Sequence, residues 1–586
     1  MPQGLLFNVG ENRSQGTWKP PESLPELGRY KRIYLDSETT GLDFFGSDRP
    51  VGIAIALEET KEKYYLPWGH LGGGNLDEGL VKRWAKTELR DKHIVSANAK
   101  FENHMLLKWG IDLEAQGCQL HEIQHPAALL DEKRRKYNIN DLALHYLGDQ
   151  KAELPQDVRI HEMSAGEVGP YAEQDADLVR RLDQAFRKPI KDQGLQDVLD
   201  LEDSLLFAVC EMERNGALID VERLQAWKVD TQRRYEETVM EVYRRTGLRV
   251  NPNAPDDLKK LLKHLNISFR YTEKGSASFT AEFLAGLKHP VIDLVLYARK
   301  LADVRSKYII KYLKYLNGKN ILRYQLHQLR TNQYGTVTGR FSSANINIQQ
   351  VLKPKNNLKY LPEFMIRELF LPEPGTIFVT ADANQIEFRI FVHYSRATRL
   401  IQAYNENPNT DFHVEVANLC EIERDPAKTI NFGKVYGMGR DKFARELGIT
   451  RREADPIVDR YDEMFPEARR LLNQAMAVAE RRGYVRTHLG RRRRYTREEK
   501  THSALNAVIQ GTAAEIMKKK ILEIYRNRKL LGFKMRWTVH DELDGDLENI
   551  GKKHLLKELL NQQAYRFRVP ITWDVSTGKN WRESSS

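Results

Sequence analysis

Two aspartates and one patterned segment carry the strongest chemical signal in the C-terminal two-thirds of the sequence. Asp382 follows the apolar run TIFVTA and opens DANQIEFRI. Asp541 lies in TVHDELDGDL, just after Met535, Trp537 and Val539, whose alternation predicts a strand. A carboxylate at a strand end usually caps a turn or a helix, so neither aspartate alone defines a site. Between them runs RDPAKTINFGKVYGMG, where Arg424, Lys428, Phe432 and Tyr436 recur every four residues, so a helix over 424–437 stacks them along one slowly drifting face. Two cations followed by two aromatics suit a ligand with a triphosphate at one end and a flat base at the other. Gly433 and Gly437 let backbone or template approach closely. A half-buried helix with solvated Arg and Lys is the simpler reading, but it leaves the order of residue types unexplained.

The N-terminal third holds weaker signals. Asp36 and Glu38, in LDSETTGL, share one face of a strand because side chains alternate with a period of two. Tyr171 and Asp175, in YAEQD, share one helix face. Each pair is common in purely structural settings, although two acids on one face can share a metal ion.

These residues need elements to hold them. A chain of 586 residues exceeds what one core supports, so at least two packed units are expected. With 41% hydrophobic and 30% charged residues the composition is that of a globular protein rather than a disordered one, and the +11 balance suits a phosphate backbone or an acidic surface. Cys118, Cys210 and Cys420 are too scattered for a disulfide framework or a zinc site. No apolar run approaches the roughly 20 residues of a membrane helix, so a cytoplasmic protein with no membrane partner is expected. Residues 1–30, with Pro2, Pro20, Pro21 and Pro25, read as a surface tether, and Ser584, Ser585 and Ser586 as a frayed end. Ile33 and Leu35, then Val51 to Leu57, predict paired strands; helical patterns run to about residue 195, where the first boundary is placed, and amphipathic segments continue through 330.

Taken together and in order, the motifs resemble those of the family A DNA polymerases. DANQIEFR is similar to motif A, RDPAKTINFGKVYG to motif B and TVHDE to motif C. EMERNGALID (211–220), TGRFSSANINIQQ (338–350), NAVIQGTAAEIMK (506–518) and VSTGKNW (575–581) extend the likeness over nearly the whole chain. With NAKFENHML (98–106), the N-terminal acids resemble the DEDDy 3′–5′ exonucleases, in which four acids bind two metal ions and a tyrosine orients the attacking water.

The resemblance implies an α/β (α+β) fold: an RNase H-like exonuclease domain (31–195) after the tether, then a right-hand polymerase with thumb (196–335), palm (336–395 and 501–586) and fingers (396–500). It implies catalysis by Asp382, Asp541, Glu542 and Lys428, with Mg²⁺ ions, replaceable by Mn²⁺, on Asp382, the Ala383 carbonyl and Asp541. The substrate dNTP would meet Arg424, Lys428, His413 and Gln385, with Phe432 stacking on its base, Tyr436 guarding the template position and Glu387 excluding a 2′-hydroxyl. Arg340, Gln349, Asn506, Gln510 and His540 would contact primer–template DNA through its minor groove, whose acceptors are alike in every base pair. In the exonuclease, Asp36, Glu38, Glu102 and Asp175 would hold metal ions beside Tyr171.

The sequence departs from the family at three places. Ala383 and Asn384 replace the usual Tyr and Ser of motif A, which alters packing near the nucleotide while leaving the backbone carbonyl as a ligand. Glu102 stands where the exonucleases have Asp; the extra methylene predicts a working but slower nuclease, because Mg²⁺ tolerates little error in geometry. Arg491 to Arg494, after Gly490, read as a DNA-facing patch. A monomer is expected, and the sequence identifies no processivity partner; residues 203–335 hold no long insertion of the kind that recruits one. The chain starts close to the exonuclease without a 5′-nuclease, similar to compact phage replicases working in a bacterial host. Competing readings are a single-subunit RNA polymerase relative, disfavoured by Glu387 and the exonuclease segment, and a non-catalytic DNA-binding protein, disfavoured by intact Asp382 and Asp541.

Overall fold

Alternation in the first strands builds a sheet covered on both faces. The computed structural model describes residues 18–585 except 152, 153, 155–157, 270, 272–276, 317, 332–334 and 436; of 419, 420, 432, 434 and 435 it describes the backbone alone. Strands β1 (Arg32–Thr39), β2 (Pro50–Leu57), β3 (Lys63–Pro67), β4 (His93–Ser96) and β5 (Gln119–Glu122) form one sheet in the order β3-β2-β1-β4-β5. The β1–β2 and β2–β3 pairs are antiparallel; β1–β4 and β4–β5 are parallel. Ile33, Leu35, Ile53 and Ile55 point to one core with α1 (Glu78–Glu88). Tyr34, Ala54 and Ala56 point to another, against Val168, Ala172 and Val179 of the long helix 165–192. All eight residues of β2 are therefore buried.

Helix α2 (Ala99–Trp109) starts at Asn98, whose side chain accepts from the Phe101 N–H, and stops at Gly110, whose φ of 94° a side chain would disfavour. Helix α3 (Ala165–Asp192) opens with a reciprocal Ser164–Glu167 capping box. The expected tether fails for residues 18–30: Leu27 and Tyr30 are core residues, Lys92 Nζ donates to their carbonyls at 2.6 and 2.7 Å, and Trp84 Nε1 donates to the Pro25 carbonyl. Residues 1–17 lie outside the described residues.

Helices α4 (Gln196–Ser204) and α5 (Leu206–Asn215) lead into α6 (Val221–Thr246), which packs along α7 (Pro290–Val304). A second sheet follows. Its strands are β6 (Ile377–Ala383), β9 (Phe533–Val539), β10 (Glu542–Leu547) and β11 (Trp573–Gly578), in the order β9-β10-β6-β11 and antiparallel throughout. Between β6 and β9 in sequence come α8 (Ile386–Ser395), α9 (Arg424–Val435), the hairpin of β7 (Tyr484–Arg486) and β8 (Arg492–Arg494), and α10 (Ala504–Leu531). Trp537 and Trp581 pack edge to face at 4.9 Å, with Phe370 5.0 Å from Trp581. That cluster anchors α11 (Trp581–Ser584), so the expected frayed end is ordered to Ser585: Ser584 is buried against Thr380 and the Ser585 hydroxyl accepts from Arg367.

Candidate active sites

The second sheet gathers the C-terminal acids. Asp382 is the penultimate residue of β6 and pairs in register with Glu542 of β10 and Asp574 of β11. His540 and Asp541 form the turn between β9 and β10. The Ala383 N–H donates to the Asp541 carbonyl at 2.9 Å, which fixes the two aspartates side by side at one end of the sheet. The chain enters and leaves this corner through non-glycine residues in the left-handed region, Gln385 at φ 48° and His540 at φ 57°. Such backbones cost of order 1–3 kcal/mol and cluster where a site needs them.

Burial, then the charge of Asp541, pushes the Asp382 carboxyl up to about 7, and Lys353 opposes the rise. Lys353 Nζ lies 3.9 Å from Asp382 and 3.7 Å from Glu542; nothing in its spacing along the sequence had marked it. Glu542 sits deeper. Burial raises its carboxyl, but Arg367 at 2.7 Å, Lys353 and the Trp581 N–H at 2.8 Å outweigh that and hold it below the ordinary range. Two acids at one sheet end, incompletely neutralised by a half-exposed lysine, are a donor set that fits a hard divalent cation.

Beside the corner, Gln385 donates to Asp411 at 3.3 Å and accepts from Tyr404, while Asp411 is ion-paired with Arg424 at 2.7 Å. Arg424 and Lys428 are exposed one turn apart on α9. His413 is buried, and its Nδ1 accepts from Asn431 of α9 at 2.9 Å; burial lowers its pKa to about 4, so the ring is neutral. The side chain of Phe432 and all of Tyr436 lie outside the described residues. Arg340, Gln349, Gln510 and His540 line one cavity of about 620 Å³, with Asn506 one turn away from Gln510 on α10. Arg340 also donates to Glu387.

The N-terminal acids converge as well. Oxygens of Asp36, Glu38 and Asp175 lie within 4.8 Å of one another, at the edge of a cavity of about 550 Å³ lined by Glu38, Phe101 and Tyr171. Burial and Asp175 raise the Asp36 carboxyl to about 7; burial, Asp36 and Asp175 also raise that of Glu38 well above its ordinary value. Glu102 is 3% exposed and stands outside the three-acid group, its carboxyl raised by burial and then by Asp36. Glu38 Oε1, Glu102 Oε2 and Asp175 Oδ1 are buried without a hydrogen-bond donor, as expected of oxygens shaped for a cation. Lys151, which no motif marked, is ion-paired with Asp175.

Residues 221–583 match the sequence profile of DNA polymerase family A. The chain belongs to that family. Residues 20–191 match the 3′–5′ exonuclease profile, so this family A polymerase carries an exonuclease domain ahead of its polymerase segment. It is similar to DNA polymerase DpoZ of Acinetobacter phage SH-Ab 15497, at 30% identity over 95% of this chain and 98% of the relative. DpoZ of Salmonella phage PMBT28 is 28% identical over 96% and 98%. DNA polymerase I of Borreliella burgdorferi is 28% identical over 96% of this chain and 63% of its own length. The fold matches the solved POL domain of Pol1 from M. smegmatis in complex with DNA primer-template and dNTP, with a TM-score of 0.81 at 22% identity over 95% and 97% of the two chains.

One expectation is overturned in the polymerase. Arg491 to Arg494 do not form a DNA-facing patch. Arg491 is 5% exposed and pairs with Glu202; Arg492 donates to the Gln193 carbonyl at 2.7 Å; Arg493 pairs with Glu499; Arg494 pairs with Glu132 and donates to Gln193 Oε1. The β7–β8 hairpin thus fastens the N-terminal unit to the rest of the molecule, because Glu202, the Gln193 carbonyl and Glu132, all distant in sequence, meet Arg491, Arg492 and Arg494. Among the described residues no helix is long and apolar enough to cross a membrane.

Proposed function

We propose that the chain is a template-directed replicative polymerase, probing each new 3′ end with its own exonuclease, and that residues 196–335, 336–395 with 501–586, and 396–500 act as thumb, palm and fingers. The observation that carries the synthetic reading is the fixed apposition of Asp382 and Asp541 beside the Gln385–Asp411–Arg424 chain. Asp382, the Ala383 carbonyl and Asp541 would hold Mg²⁺ ions, or Mn²⁺ in their place, which would supply Lewis-acid stabilisation to the attacking primer 3′-hydroxyl and the departing pyrophosphate.

The chain's own residues do the rest. Arg424 and Lys428 present cations to the triphosphate, and neutral His413 offers a ring N–H. Because charge develops on phosphate oxygens, this positioning and electrostatic stabilisation is most of catalysis. Glu542, braced by Arg367 and Trp581, keeps its negative charge behind the two aspartates. Phe432 and Tyr436 would meet the base and template, and Arg340, Gln349, Asn506, Gln510 and His540 the duplex.

In the N-terminal unit Asp36, Glu38, Glu102 and Asp175 would hold divalent ions, with Tyr171 orienting water onto the terminal phosphodiester. Extension of a labelled primer with dNTPs and Mg²⁺ tests both halves. Synthesis lost in Asp541→Ala alone and primer shortening lost in Asp36→Ala alone support the reading; a wild type that binds primer–template but never extends it overturns it.

A further inference from the structure

The acids of the exonuclease site have a basic side chain of their own. Lys151 is 22% exposed at its side chain, is ion-paired with Asp175 and lies 4.3 Å from the centre of the Tyr171 ring. It lines the same cavity as Glu38, Phe101 and Tyr171, and its charge reaches Asp36, Glu38 and Asp175 alike. Three carboxylates whose oxygens lie within 4.8 Å of one another repel when ionised, and a positive charge beside them offsets that repulsion. A divalent ion would do so in the working enzyme. An ammonium on Asp175 does so from within the chain.

We propose that Lys151 is a resident counter-cation that sets the divalent-ion affinity of the exonuclease site by sharing Asp175 with the ion. This rests on the reading of Asp36, Glu38 and Asp175 as metal ligands. Lys151 holds Asp175 Oδ2, whereas Asp175 Oδ1 and Glu38 Oε1 are buried without donors. An ion taking those open oxygens meets a carboxylate already partly neutralised and a like charge a few ångströms away; both weaken its hold. The site then loads at a higher ion concentration than its acids alone would require, so the affinity of the nuclease is separable from that of the polymerase site. The ammonium also packs on Tyr171, so the residue expected to orient water shares the same contact.

Mn²⁺ binding to the full chain tests this without reference to cleavage. In an Asp382→Asn, Asp541→Asn background, which removes the C-terminal ligands, free Mn²⁺ is followed by electron paramagnetic resonance during titration. Asp36→Asn identifies the uptake that belongs to the exonuclease site. Lys151→Met, and Lys151→Gln as a second neutral form, are expected to tighten that uptake about tenfold, and Lys151→Arg to leave it within about twofold. Uptake that depends on Asp36 yet is unchanged or weakened in both neutral variants overturns the proposal and leaves the exonuclease reading standing. Absence of any Asp36-dependent uptake overturns both.

Discussion

Arg340 donates a charge-assisted hydrogen bond to Glu387, joining the 338–350 segment to the first turn of α8. The residue assigned to duplex DNA thereby holds the residue assigned to the nucleotide sugar, and Glu387 is kept in one orientation, with 12% of its side chain exposed. Removing the carboxylate should open space for a 2′-hydroxyl. Glu387→Ala is expected to reduce discrimination against ribonucleotides by about 10- to 200-fold, the range for filling or emptying a small steric pocket. Glu387→Gln keeps the volume and should retain most of it. The ratio of kcat/KM for dNTP and NTP decides; equal ratios in wild type and Glu387→Ala would refute the steric role.

Glu102 sits on α2 outside the Asp36–Glu38–Asp175 group, and its carboxyl is buried. Retracting it by one methylene changes its reach by about 1.5 Å. Mg²⁺ demands near-octahedral geometry, and a looser ion such as Mn²⁺ is more forgiving. Glu102→Asp should therefore raise the rate of primer shortening several-fold in Mg²⁺ and less in Mn²⁺, and Glu102→Gln should lower it in both. A Mg²⁺-to-Mn²⁺ rate ratio unmoved by Glu102→Asp would mean that the longer side chain already places its oxygen correctly.

Glu213 of α5 joins the N-terminal unit through Lys100 at 2.7 Å and His104 at 2.9 Å, both on α2. Burial pushes its carboxyl up, but Lys100 and His104 prevail and bring it to about 2. A folded pKa below the unfolded one means that the stabilisation is fully present above about pH 4.5 and is lost as pH falls towards 2. The contribution at neutral pH is about 3 kcal/mol. Glu213→Gln should lower Tm at pH 7 and flatten the fall of Tm between pH 4.5 and 2; an acid slope identical to wild type would exclude Glu213 as its source.

What the sequence revealed and what it hid divide by distance along the chain. The β1–β2 pair was legible because Ile33 and Leu35 alternate locally, and α3 because Tyr171 and Asp175 sit one turn apart. Asp382 and Asp541 were legible as a pair only through ordered motifs, since 158 intervening residues carry no local sign that the two acids meet. The family profile spanning them agrees with that ordering. Lys151 and Lys353 were invisible because a lysine outside the motifs reads as solvated until the fold brings acids to it. The arginine run misled for the same reason: its partners Glu202, Gln193 and Glu132 lie 289 to 362 residues away. Arg536 shows the converse, a polar position on an alternating strand that is buried all the same, because Asp546 of β10 accepts from it at 2.9 Å.

The buried pair of Glu202 and Lys518 sets how firmly α4 is held to α10, the helix that carries Asn506 and Gln510. Both side chains are 0% exposed and lie 2.6 Å apart, with Arg491 on the same carboxylate and Gln328 donating to it at 3.1 Å. Burial lowers the Lys518 ammonium to about 8 despite Glu202, a sign of how much desolvation the pair carries. Breaking such a pair from one side leaves a buried charge without its counter-ion, at a cost of about 3–5 kcal/mol, whereas replacing both partners with apolar groups can be nearly neutral. Glu202→Leu should therefore destabilise strongly, because Lys518 and Arg491 then face each other, and adding Lys518→Met should recover a large part of the loss. Urea unfolding of the two single variants and the double variant measures the coupling. Additive losses would mean that the two charges are solvated in practice and that the junction is held by its apolar contacts alone. Strong coupling would make α4 a rigid bridge between the N-terminal unit and α10.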